Sequence, residues 1–189
     1  SQSSSQMDHF NWGVCGANAL TTSSSVCAKN VSQDISGKMF TDEACTAETS
    51  DFAAALYGDI AYWATQGAWR LPTQAELQKL YNEASYQYGY YTTEDGKNVY
   101  GYLFTPPMKS GRVENTSARQ ITDEELVGGL FLPATGYRIY PGSTISKSGE
   151  VGYYWTSQYR SAGDNDYAYY LELQPTQIRW AGNASYYGR

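Results

Sequence analysis

The fold is decided by two runs near the end of the chain, Gly152-Tyr153-Tyr154-Trp155-Thr156-Ser157 and Tyr167-Ala168-Tyr169-Tyr170-Leu171-Glu172-Leu173. In the second run Tyr167, Tyr169 and Leu171 alternate with Ala168, Tyr170 and Glu172. Such alternation is typical of a strand whose two faces differ. The two runs therefore predict strands, and a third strand is predicted over residues 177–180.

The same stretch has the composition of a binding surface. Tyr, Ser, Asn, Asp, Gly and Arg dominate residues 152–189, and antibody loops use this set of residues for recognition. We expect residues 158–166 and 181–187 to form loops at one end of the sheet. The alternative is that the tyrosines are ordinary sheet residues, since aromatic side chains favour strands. The candidate ligand-binding residues are Tyr153, Gln158, Tyr159, Arg160, Asp164, Asn165, Asp166, Tyr167, Tyr169, Gln177, Arg179, Trp180, Asn183, Ser185 and Tyr186.

Six of these candidates have the residue types that dominate binding interfaces, Tyr, Trp and Arg. We expect them to be largely exposed and to share one surface. They are Tyr159, Arg160, Tyr167, Arg179, Trp180 and Tyr186.

Length and charge exclude several classes of protein. The 189 residues predict a single domain, with a disordered tail over residues 1–6. The net charge of -6 argues against a nucleic-acid partner, which requires a basic surface. No apolar run is long enough to predict insertion of this domain into a membrane.

Helices are predicted in the first half of the chain. Thr73-Gln74-Ala75-Glu76 is a capping box, and it predicts a helix over Thr73–Ala84 with Leu77, Leu80 and Tyr81 on its apolar face. Asp59 is expected to cap a short helix from Ile60 to Gln66. Ser50 is expected to cap a further helical run over residues 51–56.

The rest of the chain predicts strands and loops. Strands are expected over residues 10–15, 99–105, 130–134 and 137–140, and loops over 16–38 and 109–125. The tyrosine cluster over residues 86–91 is expected to be a strand or a packed loop. Trp69, Arg70 and Pro72 are interpreted as structural, with Arg70 in a buried ion pair or bonded to carbonyl groups. Helices followed by strands indicate an α+β fold with a twisted antiparallel sheet. The Thr73 helix should pack on a sheet that contains Phe131, Tyr137, Trp155 and Leu171.

Three cysteines lie in the first quarter of the chain, at positions 15, 27 and 45. One disulfide and one free thiol would suit an exported protein, and three buried thiols are an equal alternative. The absence of a close Cys-x-x-Cys pair argues against zinc.

The sequence predicts no catalytic residue, metal or cofactor. The single histidine, His9, is not placed beside a nucleophile by any motif. Asp164-Asn165-Asp166 lacks the spacing of a calcium loop. Carboxylates that could pair in space for glycoside cleavage are also expected to be solvated. They are Glu94, Asp95, Glu150, Asp164, Asp166 and Glu172.

Several short motifs occur in a fixed order along the chain. They are Trp12 to Cys15, Trp69-Arg70-Leu71-Pro72-Thr73 with Glu76, Gly101-Tyr102-Leu103-Phe104-Thr105, Leu130 to Arg138, Gly152 to Ser157 and Ala168 to Leu171. In this order the chain resembles the Fibrobacter succinogenes major paralogous domain family, from about Phe10 to its end.

The resemblance implies a C-type-lectin-like fold over residues 7–189, on a secreted or cell-surface protein. Residues 16–57 then look like an insertion or long loop. The variable proteins of diversity-generating retroelements share this fold, and they vary a C-terminal segment similar to residues 152–189. Calcium-dependent lectins of this fold use Glu-Pro-Asn or Gln-Pro-Asp, and Gln174-Pro175-Thr176 lacks the acid.

Three functions follow as hypotheses. The first is a ligand-binding module, adhesin-like or receptor-binding, whose partner is a protein or glycan on a cell surface. The second is a carbohydrate-active enzyme or its accessory domain. The third is a structural domain of a surface fibre or pilus.

Overall fold

The computed structural model describes residues 12–16, 31, 33–137, 145–162 and 165–184, with the backbone alone for 161, 162, 165–167 and 182–184. The helices are α1 (Ile60–Ala64), α2 (Gln74–Glu83) and α3 (Asp123–Gly128). The strands are β1 (Met39–Phe40), β2 (Tyr57–Gly58), β3 (Ser85–Thr92), β4 (Asn98–Thr105), β5 (Glu114–Gln120), β6 (Leu130–Pro133), β7 (Gly152–Ala162), β8 (Asn165–Gln174) and β9 (Gln177–Ala184).

Two main sheets organise the domain. The first has the strand order β5-β3-β4-β6, and the second is the meander β7-β8-β9. A short β1-β2 pair stands apart from them. The second sheet is antiparallel throughout, whereas β3 and β5 in the first are parallel. The α+β class is therefore confirmed, and the expectation of a single antiparallel sheet is wrong.

Helix α2 forms where its capping box predicts it. The Thr73 hydroxyl accepts a hydrogen bond from the Glu76 amide at 3.1 Å, and the Glu76 carboxylate accepts one from the Thr73 amide at 2.9 Å. Leu77 is buried, and the helix packs on β7 and β8. Asp59 caps α1 as predicted, and that helix ends at Ala64, two residues earlier than expected.

One apolar core joins the two sheets. Leu77 of α2, side chains of β3 and β4, and Leu171 of β8 belong to the same buried cluster. The Tyr102 hydroxyl donates to the Gln174 carbonyl at 2.8 Å and so links the sheets directly.

The four residues expected in one sheet are divided between the two. Phe131 lies in β6 of the first sheet, whereas Trp155 and Leu171 lie in β7 and β8 of the second. Tyr137 lies outside the named strands and makes an isolated bridge with Ser146. The strand expected over 137–140 lies outside the described residues after Tyr137.

A second core covers the opposite face of the β7-β8-β9 sheet. It is built from the N-terminal segment, where Trp12, Ile35 and Phe40 pack against Trp155. The Trp12 indole donates to the Thr156 carbonyl at 2.7 Å. The described part of the segment expected to be a loop or insertion therefore contributes core, and both faces of this sheet are covered.

The expectation of a helical run after Ser50 is wrong. The Asp51 carboxylate accepts from the Ala53 amide at 2.9 Å and closes an isolated turn. The backbone then becomes extended, because the Leu56 amide donates to the Phe40 carbonyl. The first strand, expected over residues 10–15, is wrong for its described part, since residues 12 and 13 form a turn and Val14 makes an isolated bridge with Tyr57. Residues 10 and 11 lie outside the described residues.

The expectation of a loop over 109–125 is also wrong, because β5 and α3 lie there. Thr122 and Glu125 form a second capping box, and Arg119 pairs with Glu125 at 2.5 Å. This Arg-x-x-Thr-x-x-Glu spacing repeats that of Arg70, Thr73 and Glu76, whose ion pair is also 2.5 Å. A capping box joined to an Arg–Glu ion pair thus stands at the start of both helices.

The two ion pairs predict a modest acid sensitivity. Hydrogen bonds from Arg70 and from the Thr73 amide lower the pKa of Glu76 to about 2, and Arg119 does the same for Glu125. Their contribution to stability is therefore complete above the ordinary pKa of 4.5 and is lost as the pH falls toward 2. Because these side chains are partly exposed, each pair is worth less than about 1 kcal/mol. Urea unfolding should show the wild type losing more stability than an E76Q/E125Q variant between pH 5 and pH 2, and equal losses would contradict it.

Candidate functional site

The polar stretch expected to be a loop is a β-hairpin. Strand β7 continues to Ala162 and β8 begins at Asn165, so residues 158–162 and 165–166 are strand. Likewise β9 continues to Ala184. The expected loops over 158–166 and 181–187 are therefore corrected within the described residues. An irregularity in the pairing between Trp155 and Tyr159 separates the buried part of β7 from this polar end.

Strand geometry divides the predicted binding residues between two faces. Neighbouring residues on a strand point to opposite sides, so Tyr159 and Arg160 cannot share a face, nor can Arg179 and Trp180. Tyr159 lies on the side of the N-terminal core, with its ring 6.2 Å from that of Trp12. The expectation of a single exposed surface is wrong for these residues.

The exposed part of the hairpin end carries a cation–aromatic pair. Arg160 is exposed and its guanidinium carbon lies 5.5 Å from the centre of the Tyr169 ring. Arg160 is paired in the strand register with Tyr167. Gln158 is half-buried beside this end, and Asn165, Asp166, Tyr167 and Asn183 are placed there by the backbone.

The opposite end of the sheet carries a buried carboxylate. Glu172 is 2 % exposed, so the expectation that this carboxylate is solvated is wrong. It accepts from Arg179 at 2.7 Å and from Gln174 at 2.6 Å. Burial disfavours its charge, but the bonds from Arg179, Gln174 and Tyr153 outweigh burial and hold the pKa of Glu172 below its ordinary value. Arg179 is thereby fixed as an exposed partner of a buried anion.

The remaining candidates are distributed as follows. Trp180 is half-buried against the core between the sheets, and Tyr153 is half-buried against the N-terminal core. Gln177 is exposed near Arg179, about 23 Å from the hairpin end at ~3.3 Å per residue of strand. Asp164, Ser185 and Tyr186 lie outside the described residues.

A cleft that the sequence did not indicate lies at the start of α2. Trp69 is 73 % exposed, which corrects its interpretation as a structural residue. Arg70 is also exposed, so its ion pair with Glu76 is not buried, whereas the expected bond to a carbonyl is present, to that of Leu71 at 3.2 Å. These residues, with Tyr62 and Pro72, line a cleft of about 490 Å³. One feature of the sequence could have predicted this cleft: the indole of Trp69 stands beside the charged Arg70 in a segment with no amphipathic pattern.

The two described cysteines are structural thiols. Cys15 and Cys45 are free and buried, and burial raises the pKa of each to about 12. The pairing alternatives that involve Cys27 fall outside the described residues. Within the described ranges, no group of three or more His, Cys, Asp or Glu side chains is arranged to hold a metal ion. No helix in the described part of the chain is both long and apolar enough to cross a membrane.

Comparison with known proteins gives no relative. No protein-family model, no curated protein and no solved structure matches the chain.

Proposed function

We propose that this domain is a ligand-binding module of a secreted or cell-surface protein, and that the outer end of the β7-β8 hairpin is its recognition surface. The partner is a protein or glycan displayed on a cell surface, and the domain is not an enzyme. The proposal retains the C-type-lectin-like fold and the similarity to retroelement variable proteins as its family hypothesis.

The observation that carries the proposal is the Arg160–Tyr169 pair on the exposed hairpin end. Tyr and Arg are the residue types that contribute most to binding energy, and a cation over an aromatic ring orients both side chains. Side chains carried by paired strands are positioned more accurately than those on loops. Residues 158–162 and 165–166 lie in strands rather than in a loop, and this favours a preorganised surface.

The proposal narrows the predicted set of binding residues. Ligand contact is assigned to Gln158, Arg160 and Tyr169 and to their neighbours by register, Asn165 to Tyr167 and Asn183. Trp180 and Glu172 are assigned to support, because the first packs in the core and the second is buried. Tyr159 is assigned to packing against Trp12.

Binding should therefore depend on two side chains of the hairpin end, of which Arg160 is exposed and Tyr169 is half-buried. We expect an R160A/Y169A variant to bind at least tenfold more weakly than the wild type, since residues at the centre of an interface contribute about 1–4 kcal/mol. Arrays of cell-surface proteins and glycans, probed with both proteins, measure this. K109A is the control, because it removes an exposed cation elsewhere and should bind like the wild type.

Two outcomes would overturn the proposal. One is the absence of any ligand on both arrays. The other is a ligand that binds R160A/Y169A as tightly as K109A. Thermal unfolding of each variant excludes misfolding as the cause, and R160A alone should change stability by less than about 0.5 kcal/mol.

A further inference from the structure

We infer that the cleft beside Trp69 is a second binding site, separate from the hairpin end, and that it takes a neutral carbohydrate. Trp69 is the most exposed aromatic side chain among the large hydrophobic residues of the described chain, at 73 %. A single exposed apolar residue is normal on a protein surface. What distinguishes Trp69 is the set of groups that surround its ring.

The backbone on both sides of Trp69 is held in place. Its amide donates to the Thr65 hydroxyl at 2.9 Å, and the Leu71 amide donates to the buried Asp59 carboxylate at 2.8 Å. The Pro72 carbonyl accepts from the Ser157 amide of β7 at 2.9 Å. The indole is therefore presented to solvent by a segment fixed at three points, which is the preorganisation that a binding site requires.

The floor of the cleft is an aromatic ring packed against glycine. Tyr62 stacks on Phe52, with ring centres 5.8 Å apart. A Cβ placed on Gly67 would lie 3.4 Å from the Tyr62 ring, and Gly67 itself has a φ of 88°. Any side chain at this position would be strained and would narrow the cleft, so the glycine keeps the floor open.

The polar groups of the cleft supply both donors and acceptors. Arg70 donates to Glu76 and to the Ser36 hydroxyl at 2.9 Å, and both members of the ion pair remain about half exposed. The Tyr62 hydroxyl and the Trp69 indole N–H have no hydrogen-bond partner in the part of the chain that the structure describes. The cleft therefore offers an exposed ring face bordered by unused donors and by a carboxylate.

This combination fits a sugar better than an ion or a nucleic acid. A pyranose presents a face of C–H groups that lies flat on an aromatic ring, and its hydroxyls donate and accept at once. The Arg70–Glu76 pair is neutral as a unit, so it does not select a charged ligand. The volume of about 490 Å³ lies within the roughly 300–1,000 Å³ of small-ligand sites.

The test uses defined neutral oligosaccharides and the intact chain. Cello-, xylo- and manno-oligosaccharides and N-acetylglucosamine oligomers are titrated while tryptophan emission and acrylamide quenching are followed. We expect at least one of them to shift the emission to shorter wavelength and to protect the exposed indole. Isothermal titration calorimetry measures the variants, because they lack the reporting indole. W69A should bind that sugar at least tenfold more weakly than the wild type, whereas W69F, which keeps an aromatic face, should lose less than W69A.

The controls separate this site from the hairpin surface. R160A/Y169A should bind the sugar like the wild type, so the two proposals can fail independently. W69A should keep the wild-type melting temperature, because its side chain is mostly exposed. The inference is overturned if no oligosaccharide in the panel changes the emission, if W69A binds unchanged, or if a proline-rich peptide protects the indole and the sugars do not.

Discussion

Replacing Asp59 with alanine is expected to lower the free energy of unfolding by about 3–5 kcal/mol. Asp59 is fully buried and its carboxylate accepts four backbone hydrogen bonds. One oxygen accepts from Ala61 and Tyr62, and the other accepts from Gly37 and Leu71 at 2.9 and 2.8 Å. The substitution leaves four amides without their acceptor, and buried unsatisfied donors are costly.

Chemical denaturation of D59A and D51A measures this effect. Asp51 also accepts from a nearby amide, but it is exposed, so D51A should cost less than about 1 kcal/mol. D59N, which keeps one acceptor oxygen, should fall between the wild type and D59A. A loss in D59A no larger than that in D51A would show that Asp59 does not hold these segments together.

Leu171→Ala is expected to cost about 2–5 kcal/mol, the range for removing a large aliphatic side chain from a core. Leu171 is fully buried on the middle strand of the second sheet. It belongs to the cluster that includes Leu77 of α2 and Tyr102 of the first sheet. The cavity would therefore weaken the contact between both sheets and the helix, and unfolding should remain a single transition.

The matched control for Leu171→Ala is V127A, since Val127 is 91 % exposed on α3. This change should alter stability by less than about 0.5 kcal/mol. Urea unfolding followed by fluorescence and by circular dichroism gives both values. If L171A produces two separate transitions, the sheets are independent units and the shared core is wrong.

Helix-capping residues predicted the starts of two helices from the sequence. The capping box at Thr73 predicted α2, and Asp59 predicted the start of α1. The capping box at Thr122 and Glu125 has the same spacing, so the start of α3 is also encoded locally, within the stretch predicted to be a loop.

Other elements have no such signal. Strand β5 reads Glu-Asn-Thr-Ser-Ala-Arg-Gln and is almost entirely exposed, so it shows no alternation of apolar residues. It forms because its backbone pairs with β3, a contact that sequence patterns do not encode. A polar strand that is held by backbone pairing alone therefore looks like a loop in its amino-acid composition.

Strand pairing also decides which binding residues share a face. A loop over residues 158–166 would allow Tyr159 and Arg160 to share a surface, whereas strand β7 places them on opposite faces. The N-terminal segment that covers Tyr159 has few large apolar residues, and its burial of Trp12 and Phe40 against β7 could not be foreseen. Composition identified the residue types of a binding surface, and only the fold decides which of them face solvent.

The most direct test of the proposed recognition surface is hydrogen–deuterium exchange, measured with and without a ligand identified on the arrays. Binding at the hairpin end should protect amides over residues 158–169 and leave those of α3 unchanged. Repeating the measurement with R160A/Y169A at the same ligand concentration should abolish the protection. Protection confined to α3 or to β5, with the hairpin exchanging as in the free protein, would contradict the account.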